Sequence, residues 1–274
     1  MVILRLALLL ALVSQAFAGP LDDAFNRLYN FDFPGAQSIV TKYIAAHPSD
    51  PLGYGVRAAG YLYLEFDRLQ ILESQFFEDD KRIIAKKKLQ ADPKMRDAFD
   101  KAIAVSREKA NAILAAHPND TNAIFSLSIA DGLVSDYDSL IDKRTFASLA
   151  AAKEAQTYSL RLLKIDPNYI DAYLTTGFSE YLVDSLYFFV RWFVHFDGIK
   201  GDKEIAIQQL EKVAHHGRYL KGFAKILLAI AFLRAEEPEK AKGMLQELIH
   251  DYPENPLYRK ELAKIETQLK SARN

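Results

Sequence analysis

The stretch YIAAHPSDP, Tyr43 to Pro51, recurs in altered form three more times. It returns as ILAAHPND (Ile113–Asp120), LLKIDPNY (Leu162–Tyr169) and LIHDYPENP (Leu248–Pro256). Each copy closes an apolar-striped segment, interrupts it with a proline that a helix interior does not accept, and supplies a polar residue suited to cap a following helix. Outward from these four points, apolar residues recur at three- and four-residue spacing almost throughout, and alternating apolar–polar runs are scarce. The 274 residues hold only 12 glycines and 10 prolines, so the breaks between helices are few. The sequence therefore predicts an all-α chain written in repeats.

The phrase resembles the tetratricopeptide repeat, a helix–turn–helix unit of about 34 residues. That family places a small residue in helix A, an aromatic three positions later, a small residue early in helix B and a proline at the end. The last unit matches with Leu228, Ala229, Phe232, Ala241 and Pro253. The first has Ala24, Ala36 and Pro48; Tyr54, Ala58 and Tyr61 follow Pro48; Tyr173 and Gly177 follow Pro167. One hairpin lacks the proline and ends near Gly217, with Ala206 as its small residue. The resemblance implies a tetratricopeptide-like α-solenoid of about five helical hairpins, with a capping helix from Pro256 to about Arg273.

The spacing departs from the family period. Between units, the extra chain amounts to about 36, 15 and 17 residues over the usual length. It falls between helix A and helix B of the three middle units, near residues 76–100, 131–147 and 186–202. Stacked hairpins place all A-to-B turns along one edge, so the three insertions are expected to gather there.

Residues 1–18 read as a secretory signal rather than as part of the domain that spans 19–274. Arg5 precedes an apolar run from Leu6 to Val13, and Ala16 and Ala18 form a small-x-small cleavage site. The run is too short to span a bilayer, which takes about 20 residues. The reading predicts an exported protein, periplasmic or secreted. The chain has no cysteine, which excludes disulfides and a lipid-modified cysteine. With 35 basic and 36 acidic residues, nothing in the charge balance suggests a nucleic-acid partner.

Chemical templates are missing. There is no nucleophile elbow, phosphate loop or dinucleotide fingerprint, so no catalytic residue and no cofactor is assigned. Asp131, Asp136, Asp138 and Asp142 cluster in the second insertion, but not in the order of a calcium loop, and they read as capping or solvated groups. His47 and His117 occupy equivalent helix ends, where a partial positive charge suits the helix dipole. No metal site is assigned.

The third insertion is the densest apolar feature. Between Leu186 and Phe196 it holds Tyr187, Phe188, Phe189, Trp192, Phe193 and Phe196, with Arg191 and His195 as a narrow polar stripe. Three readings are open: a helix packed on the solenoid's own groove, a patch for a protein partner, or shallow, peripheral membrane contact. The narrow stripe favours the first. On the family's register the groove itself is apolar, carrying Phe125, Ile129 and Leu133 in unit three and Leu174, Phe178, Tyr181 and Leu182 in unit four. The candidate binding residues are therefore Phe125, Ile129, Leu174, Phe178, Tyr181, Phe189, Arg191, Trp192 and His195. The expected role is a non-catalytic scaffold or adaptor for another cell-envelope protein or peptide. The competing expectation is a carrier of a small apolar, lipid-like molecule.

Overall fold

Each of the four repeated phrases folds into the same turn. His47, His117, Asp166 and Tyr252 end their helices with φ between −129° and −135°, and each backbone N–H reaches the carbonyl four residues back. Asp50 then caps the next helix by accepting from Leu52 N, Asp120 accepts from Ala123 N, and Asn255 accepts from Leu257 N. Pro51 and Pro256 stand at the first helical position, where a missing N–H costs nothing.

The computed structural model describes residues 19–72, 88–185 and 200–273. Among them are eleven α-helices and no strand. They are α1 Pro20–Tyr29, α2 Phe33–Ala46, α3 Pro51–Arg68, α4 Pro93–Ala116, α5 Thr121–Asp136, α6 Thr145–Ile165, α7 Ala172–Ser185, α8 Lys203–His216, α9 Lys221–Arg234, α10 Pro238–Asp251 and α11 Pro256–Arg273. Consecutive helices pack as neighbours, and the odd-numbered A helices also touch along the inner side, α1 on α3, α3 on α5 and α5 on α7. This is an all-α stack of five helical hairpins closed by the cap α11. The small residues read from the sequence sit where helices approach most closely. Ala24, Ala58, Ala206 and Ala241 are fully buried. A Cβ on Gly177 would lie 3.2 Å from the Ala206 carbonyl and 3.0 Å from Gln209 Cβ.

The opposite turns, from A to B, repeat as well, with a device that the residue types do not advertise. Phe31, Gln70 and Glu236 adopt left-handed φ values of 63°, 57° and 57°. The next residue in each case donates to the carbonyl five positions back: Asp32 to Arg27, Ile71 to Phe66 and Glu237 to Phe232, all at 2.9 Å. That is the Schellman helix stop, made without glycine. Part of the extra chain in the middle units is helix. Residues 93–100 are the opening turns of α4, which runs to 24 residues, and α6 runs to 21.

The stack also bends until its ends meet. Tyr29 of α1 donates its hydroxyl to the Tyr219 carbonyl at 3.0 Å, Asn255 Nδ2 donates to the Tyr29 carbonyl at 2.8 Å, and Glu254 N donates to Asn30 Oδ1 at 3.0 Å. Arg218 grips Asp22 with both guanidinium arms at 2.7 Å. Aromatic rings fill the seam: Phe25 on Tyr219 at 5.3 Å, Tyr29 on Tyr252 at 5.1 Å and Tyr219 on Phe125 at 6.1 Å. Gly222 makes room for this seam, since a Cβ there would stand 2.8 Å from the Tyr29 ring. The first hairpin thus lies against the turns that open α9 and α11, and one contiguous core runs from Leu21 to Ile265.

Candidate functional site

The A-to-B edge carries the long connections, and buried acids hold it in shape. Glu65, 1% exposed near the end of α3, takes a two-armed contact from Arg68 and accepts Asp92 N at 2.8 Å. Arg68 continues to the Gln90 carbonyl at 2.6 Å. Together they fix the point where the chain returns to begin α4. Glu180, 5% exposed on α7, does the same for α8. Its Oε2 faces the backbone N–H groups of Lys200, Gly201 and Asp202 at 3.2, 2.8 and 2.9 Å. A carboxylate that accepts several N–H groups replaces the hydration it loses on burial.

Unit three uses charge pairs instead. After α5 the backbone unwinds into a wider π-helical turn over Tyr137–Ile141, a feature often found at functional sites. Three of the four clustered aspartates around it are committed to cations. Asp131 pairs with Arg107, Asp138 with Arg144, and Asp142 with both Lys88 and Arg96. Burial alone would raise the Asp142 carboxyl, but Lys88 and Arg96 hold it below its usual range. Burial prevails at Asp131 and Asp138, which are raised against the pull of Arg107 and Arg144. Arg96 also stands 4.2 Å over the Tyr137 ring. The cluster thus clamps α4, the π-turn and α6 into one frame. Among the described residues no group of three or more His, Asp or Glu side chains is placed to hold a metal.

Asp136 differs from its neighbours. No described residue hydrogen-bonds or pairs with it, and burial pushes its pKa up to about 7. It shares one face of α5 with Ile129 and Gly132, and burial, with the Asp136 charge second, raises the hydroxyl of Tyr63 on the adjacent α3. Among the described residues nothing lies within 4 Å of where a Gly132 side chain would begin. The inner face at this end of the stack therefore combines half-buried apolar surface with one carboxylate that no described residue partners.

The residues expected to line the groove are divided by this arrangement. Ile129, Phe178 and Tyr181 are half-buried on the inner helices. Leu174 is 8% exposed, and Phe125 is 1% exposed, held between the rings of Tyr169 and Tyr219 in the closing seam. Phe125 is thus core, because the bent stack brings the start of α9 onto it. Phe189, Arg191, Trp192 and His195 lie outside the described residues. On the same edge, Phe146 opens α6 with its side chain in water, 89% exposed.

Sequence reasoning missed Glu65, Glu180 and also Asp171, a buried acid that accepts Arg218 N, Tyr219 N and Leu220 N in the turn before α9. For the two glutamates the available signal was a single acid within an apolar run, YLYLEF and GFSEYLV, where a helix face would otherwise be continuous.

No protein-family model matches the chain, and no curated protein matches it. Among solved structures it is similar to a thermophilic TPR protein of Thermus thermophilus. That likeness has 13% identity and a TM-score of 0.46, and covers 90% of this chain and 96% of that one.

Proposed function

We propose that the protein is an exported, non-catalytic scaffold that displays its A-to-B edge to another cell-envelope protein or peptide. The observation that carries this reading is the anchoring of the long connections. Glu65 and Glu180 are buried carboxylates whose hydrogen bonds fix returning backbone, so the connections leave and re-enter a rigid frame at defined points. Loops positioned by a rigid scaffold are where binding residues concentrate. Phe146, fully displayed on that edge, adds an apolar contact point. The first 18 residues support export through their apolar run and small-x-small end.

The test replaces residues 73–87 or 186–199 with Gly-Ser linkers of equal length. Proximity labelling in the cell envelope is then compared with the unaltered protein. The scaffold reading expects the helical melt to survive and one or more labelled partners to disappear. Partners retained by both replacements would contradict it.

A second reading rests on the half-buried inner face of Ile129, Gly132, Phe178 and Tyr181. It assigns that face to a small apolar molecule. Mass spectrometry of an organic extract of the purified protein separates the two, since only a carrier brings a stoichiometric small molecule with it.

A further inference from the structure

One contact of the closing seam, made by the Gly19 backbone nitrogen, would change its charge if residues 1–18 were removed. Asp22 occupies the first turn of α1, with its side chain 14% exposed. Arg218 Nε meets its Oδ1 and Arg218 Nη2 its Oδ2, both at 2.7 Å. The backbone nitrogen of Gly19 donates to the same Oδ2 at 2.8 Å. Gly19 is the residue that cleavage after Ala18 would leave first. We propose that this cleavage turns Gly19 N into a working part of the seam. Its new ammonium joins the carboxylate that Arg218 already grips, and removal of the leader thereby strengthens the first turn of α1 that presents Asp22 to the seam. This rests on the reading of the chain as exported.

In the precursor Gly19 N is a neutral amide donor. Processing hydrolyses the Ala18–Gly19 peptide bond, with water supplying the hydroxyl to Ala18 and a proton to the nitrogen; the Ala18 carboxylic acid then releases its proton and the amine takes one up. The donor becomes an ammonium at neutral pH, and charge-assisted bonds are roughly twice as strong as neutral ones. The groups that face it are Asp22 and Asp23 on α1 and Arg218 at the opening of α9. Asp171 anchors that same turn by accepting Arg218 N, Tyr219 N and Leu220 N. Arg218 and the positive end of α1 both oppose a further cation. Direct contact with Asp22 outweighs them, and the four charges Asp22, Asp23, Arg218 and Gly19 ammonium then balance.

The experiment uses three forms of the chain beginning at Gly19: unmodified, acetylated on Gly19, and carrying Asp22→Asn. Acetylation keeps the N–H donor and removes the charge. NMR titration of the Gly19 amine should give a pKa about half a unit or more above the ordinary 7.7–8.0 in the unmodified form, and an ordinary value in the Asp22→Asn form. Trypsin cleavage after Arg27 at pH 7 should be about threefold faster or more in the acetylated form, the rate equivalent of half a pKa unit. An amine that titrates at or below its ordinary value, or is raised equally without the Asp22 carboxylate, overturns the inference. The unmodified form decides this even if the variant folds poorly. Separately, an exported protein that starts at a residue other than Gly19 removes the processing step, whatever the amine does.

Discussion

The two edges of the stack solve the same problem in different ways. Along the B-to-A edge every turn is short, and four of the five share one cap geometry. These turns are also tied to one another. Asn122 donates to Asp50 at 2.8 Å, Ser106 donates to the Pro51 carbonyl at 2.9 Å, and Asp171 binds the turn that holds Arg218. The seam joins turns on this side to both ends of α1: the turn before α9 meets Asp22, and the turn before α11 meets Tyr29 and Asn30. Along the A-to-B edge the connections differ in length: the first and last are short Schellman stops, and the three long ones are pinned at the acids Glu65, Asp142 and Glu180. Short turns on the B-to-A edge, bonded to α1, close the fold. The unequal connections are fixed at single acids, and Lys88 and Leu89 tie the first long one to Asp142 and Ile141 of the second.

That contrast breaks most visibly at Tyr29. Tyr29→Ala removes a buried ring, its hydroxyl bond to Tyr219 and its contact with Tyr252, and should cost about 3–5 kcal/mol. The loss should be global, lowering protection from hydrogen exchange in both α1 and α9. Glu180→Ala should cost less, about 2–3 kcal/mol, because three N–H groups lose their acceptor. Its effect should be local: faster exchange at Lys200, Gly201 and Asp202 with α1 unchanged. Equal spread of the two effects would erase the distinction between the edges.

Asp136 sharpens the comparison through pH. Its folded pKa of about 7 lies above the ordinary carboxylate value of about 3.9. Ionising it is therefore costlier in the folded chain than in the unfolded one. No penalty exists below about pH 4; it grows as pH rises toward 7 and is constant above. Asp136→Asn should stabilise by about 1–2 kcal/mol at pH 8, discounted for partial exposure, with the gain vanishing near pH 4. Urea melts at the two pH values measure this directly. The smallest effect belongs to the helix stops. Glu236→Gly relieves a left-handed non-glycine residue and should stabilise by about 0.5–1 kcal/mol, read as a small rise in melting temperature.

The B-to-A edge was legible in the sequence because its turns use proline and a capping acid, residues with one strong local meaning. The A-to-B stops were not, because Phe31, Gln70 and Glu236 carry no mark of a left-handed turn. Ring closure was invisible for another reason. Asp22 and Arg218 lie 196 residues apart, and neither differs from an ordinary surface charge until the stack bends. The same bend explains the candidate groove. Ile129, Phe178 and Tyr181 are half-buried, whereas Phe125 is covered by Tyr219 from the turn that opens α9.

Closure of the ring is tested most directly by distance. The chain has no cysteine, so Asn26→Cys and Glu254→Cys introduce a unique pair of labelling sites beside the Asn30–Glu254 bond. Double electron–electron resonance between spin labels at these sites should give one short, narrow distance distribution, broadened when Tyr29→Ala is added. A long, broad distribution in the otherwise unaltered protein would show an open stack and contradict the closed ring.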